Sequence, residues 1–196
     1  MTPTTLSRPD ASEYKAYYHT YIEPIADQNA LELLAAQRDA LEPLRKLDDA
    51  QALHRYAPGK WSVKEVIGHV TDAERIFSYR LLRIARGDRT PLAGFDQDPY
   101  IAAAKFDRFP IAAMIDAFRT SRDATLSIAS QVGEEDWPRT RTASDSPISA
   151  RGLAYLIVGH ASHHFDILRS KYGVALSPGL PGGRHAARAE LSSCNF

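Results

Sequence analysis

The sequence predicts an all-α fold, a four-helix bundle with a long connection between its second and third helices. Three observations carry this. Apolar residues recur at helical spacing in four separate stretches, and the segments between those stretches hold Gly, Pro and Asp in turn-forming combinations. The chain, 196 residues with 44% hydrophobic and 24% charged content, has the size and composition of one globular domain.

The first 26 residues are expected to form a strap over the bundle, with an initial short helix at Tyr17, Tyr18, Tyr21 and Ile22 as the alternative, and the three tyrosines serve packing or a dimer contact. The first helix is expected from Asp27 to Leu47, with Leu31, Leu34, Ala35, Leu41 and Leu44 near one face and Pro43 able to kink or end it. The second helix has the sharpest start signal. Ser62 followed by Glu65 reads as a capping box, and Trp61 with Val66 as a hydrophobic staple. Its apolar face runs through Val63, Val66, Ile67, Val70, Ala73, Phe77, Leu81 and Ile84 to about Arg86, and Gly87 ends it.

Residues 87–110 form a long connection with three prolines, and long connections in compact domains often serve as covers. A third helix is expected from Pro110 through Ile115 and Phe118 to Val132, after which GEEDW breaks the pattern. The fourth starts near Ser149 and stops at Gly173 after Leu153, Leu156, Ile157, Ile167 and Leu168. The bundle is thus placed at residues 27–173, and residues 174–196, rich in Pro, Gly and Ser, read as a mobile tail.

Charge and cysteine content narrow the function. Lys plus Arg (24) balance Asp plus Glu (24), so no net field draws the chain to nucleic acid or anionic lipid. No apolar run approaches the ~20 residues that span a bilayer, and the polar N-terminus lacks a signal-peptide core, so a cytoplasmic location is expected. The one cysteine, Cys194, lies in the tail. A disulfide framework and a buried thiol nucleophile are therefore not expected, and a metal would have to use histidine and carboxylate.

The chemistry concentrates in LIVGHASHHFDIL of the fourth helix. Residues four apart share a helix face about 6 Å apart along the axis, so His160 and His164 can aim at one ion. His163 lies off the line through Leu153, Leu156, Ile157, His160 and Ile167, and is read as a supporting or surface residue. His69, between Val66 and Ala73, brings a third imidazole from the second helix. A lone histidine on an apolar face is more often a hydrogen-bonded core residue, and an HxxxH pair arises readily by chance. Here a second helix offers His69 beside Asp72, and an unpaired buried polar group costs ~1–3 kcal/mol. A shared cation would satisfy all three rings. Three nitrogen ligands leave a coordination position open, as in catalytic rather than structural zinc sites.

WSVKEVIGHVTDAE and the later GHASHH resemble the signature of the DinB-like, YfiT-type proteins, a likeness running from YYHTYIEP through RSKY. Trp61, Ser62, Glu65, His69 and Asp72 match its first motif, His160 and His164 its second. RGDRTPLAGFDQDPY is similar to the connection of one subgroup, and the tail after Gly173 departs from the pattern. The resemblance implies a four-helix bundle with His69, His160 and His164 as ligands of a divalent metal, zinc or nickel first and then iron. It also implies a homodimer and a small-molecule substrate.

Three functions follow. The first is a low-molecular-weight-thiol S-transferase, in which the metal activates a thiol cofactor and no protein cysteine is needed. The second is small-molecule hydrolysis; Ala161 after His160 removes the Glu of HExxH and disfavours a protease. The third is a metal- or ligand-binding stress protein without catalysis. Asp72, Asp166 and His163 are candidates for orienting the ligands, although a solvated helix-face carboxylate is the simpler identity for each aspartate. Trp61 is expected to pack as the staple, with walling the pocket as the alternative. Arg80, Arg83 and Arg86 are expected to form a solvated stripe, with recognition of an anionic thiol cofactor as the alternative.

Overall fold

The computed structural model describes residues 5–177. The helices are α1 His19–Ile22, α2 Ala30–Ala36, α3 Asp49–Ala52, α4 Val63–Ala85, α5 Gln97–Ala104, α6 Ile111–Ala129 and α7 Ala150–Tyr172. A hairpin of β1 Thr140–Ala143 and β2 Ser146–Ser149 precedes α7. Helix α4 packs on both α6 and α7, and α2 touches both of those on the other side, which closes a four-helix ring. Among the described residues no helix is long and apolar enough to cross a membrane.

The long helices begin and end where local chemistry dictates. Ser62 Oγ accepts from Glu65 N at 3.0 Å, while Glu65 Oε2 accepts from Ser62 N at 2.9 Å, closing the capping box of α4. Ser149 Oγ caps α7 by accepting from Gly152 N, and Pro110 stands as the N-cap residue of α6. Gly87 and Gly173, at φ +81° and +68°, supply the left-handed residues that end α4 and α7.

The expected first helix over 27–47 is broken. Helix α2 stops at Ala36, a run of tight turns follows, and a 3-10 segment spans Glu42–Lys46. Pro43 accounts for the later part of the break: it has no N–H, and its ring cannot sit against the carbonyl four residues back. That carbonyl, on Asp39, instead accepts from Glu42 N and from Ser177 Oγ. Ala35, expected on the apolar face, is exposed, and Leu33 is buried in its stead.

Two further differences lie outside the bundle. The segment after α6 forms the hairpin, with Ser144 and Asp145 both at positive φ (52° and 57°), the backbone of a type I′ turn. A free two-stranded hairpin is marginal, and this one is held by bridges from Tyr14 to Ile148 and from Leu92 to Ala143. The long connection carries α5 and a 3-10 turn at Phe106–Arg108 rather than remaining irregular. Residues 5–26 run as short helical turns with Tyr18, Tyr21, Ile22 and Ile25 buried. Of the expected tail, Val174 and Leu176 pack against the core, and the part from residue 178, with Cys194, lies outside the described residues.

A buried polar network fixes the register of the ring. Arg122 of α6 donates from Nε and Nη2 to the two carboxylate oxygens of Glu74 on α4, at 2.7 and 2.9 Å. Its Nη1 reaches Leu34 O and Gln37 Oε1 at the end of α2, and Gln37 Nε2 donates to Val158 O and Ser162 Oγ of α7. Glu74→Ala is expected to cost about 3–5 kcal/mol in chemical denaturation by leaving a buried guanidinium uncompensated. The double change Glu74→Leu with Arg122→Met is expected to recover most of that loss.

Candidate metal centre

The network sets α4 against α7 so that His69 faces His160. His69 Nε2 lies 3.0 Å from His160 Nε2, which lies 3.2 Å from His164 Nε2. All three rings are 2–3% exposed, and one nitrogen from each falls within 4.8 Å of the others. The structure therefore brings together the three residues singled out by spacing.

Neutral imidazoles alone cannot satisfy this arrangement. His160 Nε2 carries either one hydrogen or one lone pair, so its two short contacts cannot both be well-directed hydrogen bonds. Burial removes the option of charging a ring: it pushes His69 down to about 3, with His163 a second contributor, and holds His160 and His164 well below the ordinary histidine value. Three uncharged rings whose nitrogens converge in this way are a group that could hold a divalent cation. Two nitrogens on one tetrahedral zinc lie about 3.3 Å apart, close to the two spacings that His160 Nε2 makes with its neighbours. His164 Nδ1 is buried with no hydrogen-bond partner among the described residues, so this ring is held by polar contact only on its Nε2 side.

Aromatic rings wall the cluster. Trp61 sits 4.8 Å from His69 and stacks 6.5 Å from His164, so it lines the site as well as preceding the α4 cap. Phe77 meets His160 edge-on at 5.8 Å, and Tyr21 meets both His160 and His163 at 5.4 Å. His163 is half-buried and 5.1 Å from the His164 ring, beside the cluster rather than in it. Asp72 and Asp166 bond to Arg75 and Arg169, each one turn along its own helix, at 3.0 and 3.2 Å. Burial raises the Asp72 pKa, with Arg75 opposing.

Two features escaped the sequence reading. Each contributing helix has a glycine immediately before its first histidine, Gly68 before His69 and Gly159 before His160. A Cβ at Gly68 would collide with the Phe106 ring, and one at Gly159 with the Tyr21 carbonyl. The glycines thus let the connection and the N-terminal segment close over the histidines, and the repeated Gly-His pair was the available signal. The second feature is a correction: Arg80 is not part of a solvated stripe but is 2% exposed, with Nη2 donating to Ala93 O and Ser144 Oγ. Arg83 and Arg86 stay near the surface, bonded to Asp88 and Gln131. The expected stripe fails because the connection and the hairpin turn fold over the α4 face at Arg80.

A sequence model of the DinB superfamily matches residues 32–168, a span that includes all three histidines. The chain belongs to the DinB superfamily. Among solved structures, this DinB protein is similar to YfiT from Bacillus subtilis, described as a probable metal-dependent hydrolase with an unusual four-helix bundle topology. The TM-score is 0.62 at 17% identity, covering 88% of this chain and 97% of YfiT, a likeness of fold. No curated protein matches the chain in sequence.

The depressed histidine pKa values set a pH dependence. In the metal-free protein the unfolded rings take up protons below about pH 6.5, while the folded His69 refuses them until about pH 3. Stability is thus complete above pH 6.5 and falls as pH drops towards 3, by about 1.4 kcal/mol per pH unit for each such ring. Urea midpoints between pH 7 and 5 should show this decline, and His69→Phe should make it shallower by one ring's share.

Proposed function

We propose that His69, His160 and His164 hold one divalent cation, zinc or nickel before iron, and that the site serves transfer of a low-molecular-weight thiol to a small electrophile. What carries the reading is the convergence of three neutral Nε2 atoms in a cluster that contains no carboxylate. Imidazole suits all three metals, and the general affinity order puts nickel and zinc above ferrous iron. A bound cation supplies Lewis acidity, which deprotonates a coordinating thiol outright or brings a coordinated water to a pKa near ~7.

The chain's own residues hold and dry the site. Three nitrogen ligands leave room for a further ligand, while Trp61, Phe77 and Tyr21 keep bulk water from the imidazoles. The carboxylates nearest in sequence, Asp72 and Asp166, are engaged by arginines. Thiol activation by a cation needs no protein base, which favours transfer. Hydrolysis is the second reading, supported by the description of YfiT. In that case Asp72, with its raised pKa one turn from His69, is the carboxylate available as a base.

Untagged protein is expected to retain stoichiometric zinc or nickel in elemental analysis, and His160→Ala to reduce it to background. The cobalt-substituted protein should develop a thiolate charge-transfer band with a cellular thiol. Absence of that band with every thiol tried, together with metal-dependent cleavage of small esters or amides, would replace transfer by hydrolysis. Metal content near zero that added metal cannot restore would overturn both.

A further inference from the structure

Among the described residues two arginines are buried to 2% exposure or less, Arg80 and Arg122, and their surroundings differ. Arg122 is paired in bidentate fashion with Glu74. Arg80 has no carboxylate within ion-pair distance among the described residues. Its hydrogen-bond partners, the Ala93 carbonyl and the Ser144 and Tyr18 hydroxyls, are neutral. Burial raises the Tyr18 pKa, so that hydroxyl does not supply the missing charge. An uncompensated buried cation is costly, since desolvation works against the charge with nothing of opposite sign to offset it.

Its position relates it to the histidines. The guanidinium stands 5.8 Å over the Phe77 ring, and the Phe77 ring is 5.8 Å from that of His160. A single aromatic side chain therefore separates the fixed positive charge from the metal-ligand cluster. Ala93 and Phe95, which cover the guanidinium, belong to the connection between α4 and α6 rather than to the bundle. A ligand reaching Arg80 has to displace this cover and leaves the four-helix ring intact.

We infer that Arg80 recognises an acid group, a carboxylate, on the small molecule handled at the histidine cluster, bound at the end remote from the reacting atom. This rests on the reading of that cluster as a small-molecule site. The planar guanidinium fork matches a carboxylate in bidentate geometry. Phe77 and Phe95, whose rings both lie against the guanidinium, are the apolar surfaces that a short alkyl linker between the two ends would meet once the cover is displaced.

The test compares hexanoate with hexan-1-ol, equal in length and differing in the acid group. Binding is measured by calorimetry on the full-length protein as purified and again after chelation of metal. Hexanoate is expected to bind about tenfold more tightly than the alcohol in both forms. Arg80→Gln is expected to abolish the difference, and Arg80→Lys, which keeps a charge but not the fork, to retain part of it. Equal binding of the two ligands by the wild-type protein overturns the inference without any variant. A carboxylate preference that vanishes on chelation and survives in Arg80→Gln also overturns it, placing the acid group on the cation while leaving the metal reading intact. Conversely, a preference that persists in the chelated protein stands even if the metal reading fails.

Discussion

The pairing of Glu74 with Arg122 is the contact on which the rest of the arrangement depends. Both groups are almost wholly buried, so neither can turn to water if the other moves, and small sliding motions of α4 against α6 are penalised as charge separation. Thr125 adds a third bond to Glu74, and Gln37 relays the network to α7. Apolar packing alone tolerates a range of registers between long helices. A directional network of this kind does not. Its consequence is felt at the other face of α4 and α7, where His69 and His160 must meet to within a hydrogen-bond distance.

The site is finished by segments that are not part of the ring. Tyr21 closes over Gly159, Phe106 closes over Gly68, and Trp61 arrives from the turn before α4. The Phe106 turn is itself tied down: Asp107 accepts from Ser62 Oγ at 2.5 Å and from Arg55 at 2.7 Å, while Lys64 Nζ donates to its carbonyl. The same residue that caps α4 therefore also anchors the cover. Drying the three imidazoles keeps them neutral, and neutral imidazoles are what a cation requires. The cover and the donor set are two aspects of one design.

The interior around the histidines is poor in negative charge. The three imidazoles are neutral, Asp72 and Asp166 are matched by arginines, and Arg80 adds a positive charge on the far side of Phe77. With a divalent cation in place the site as a whole is electropositive, although the chain has no net charge. Such a site favours anionic ligands and disfavours cationic ones. The DinB fold supplies the frame for this arrangement, and side chains of the connection and hairpin enclose the charge beside it.

What the sequence determined by itself was everything governed by neighbours within one helical turn. The Ser62 and Glu65 capping box, the Ser149 cap, the Gly87 and Gly173 stops and the shared face of His160 and His164 depend on backbone geometry that local residues dictate. The tertiary structure decided what depends on distant partners. Pro43 was visible as a risk to the first helix, but the break extends back to Ala36, beyond the reach of its ring, where the Gln37 side chain bonds α7 and Arg122. The hairpin lacks an Asn-Gly turn and persists through bridges to Tyr14 and Leu92, which lie far away in sequence. Arg80 shares its spacing with Arg83 and Arg86, and only the folding of Ala93 and Ser144 over it makes it a buried charge. Helical spacing could place the three histidines on the right faces, whereas bringing two helices into register around one point required the buried pair that no local pattern encodes.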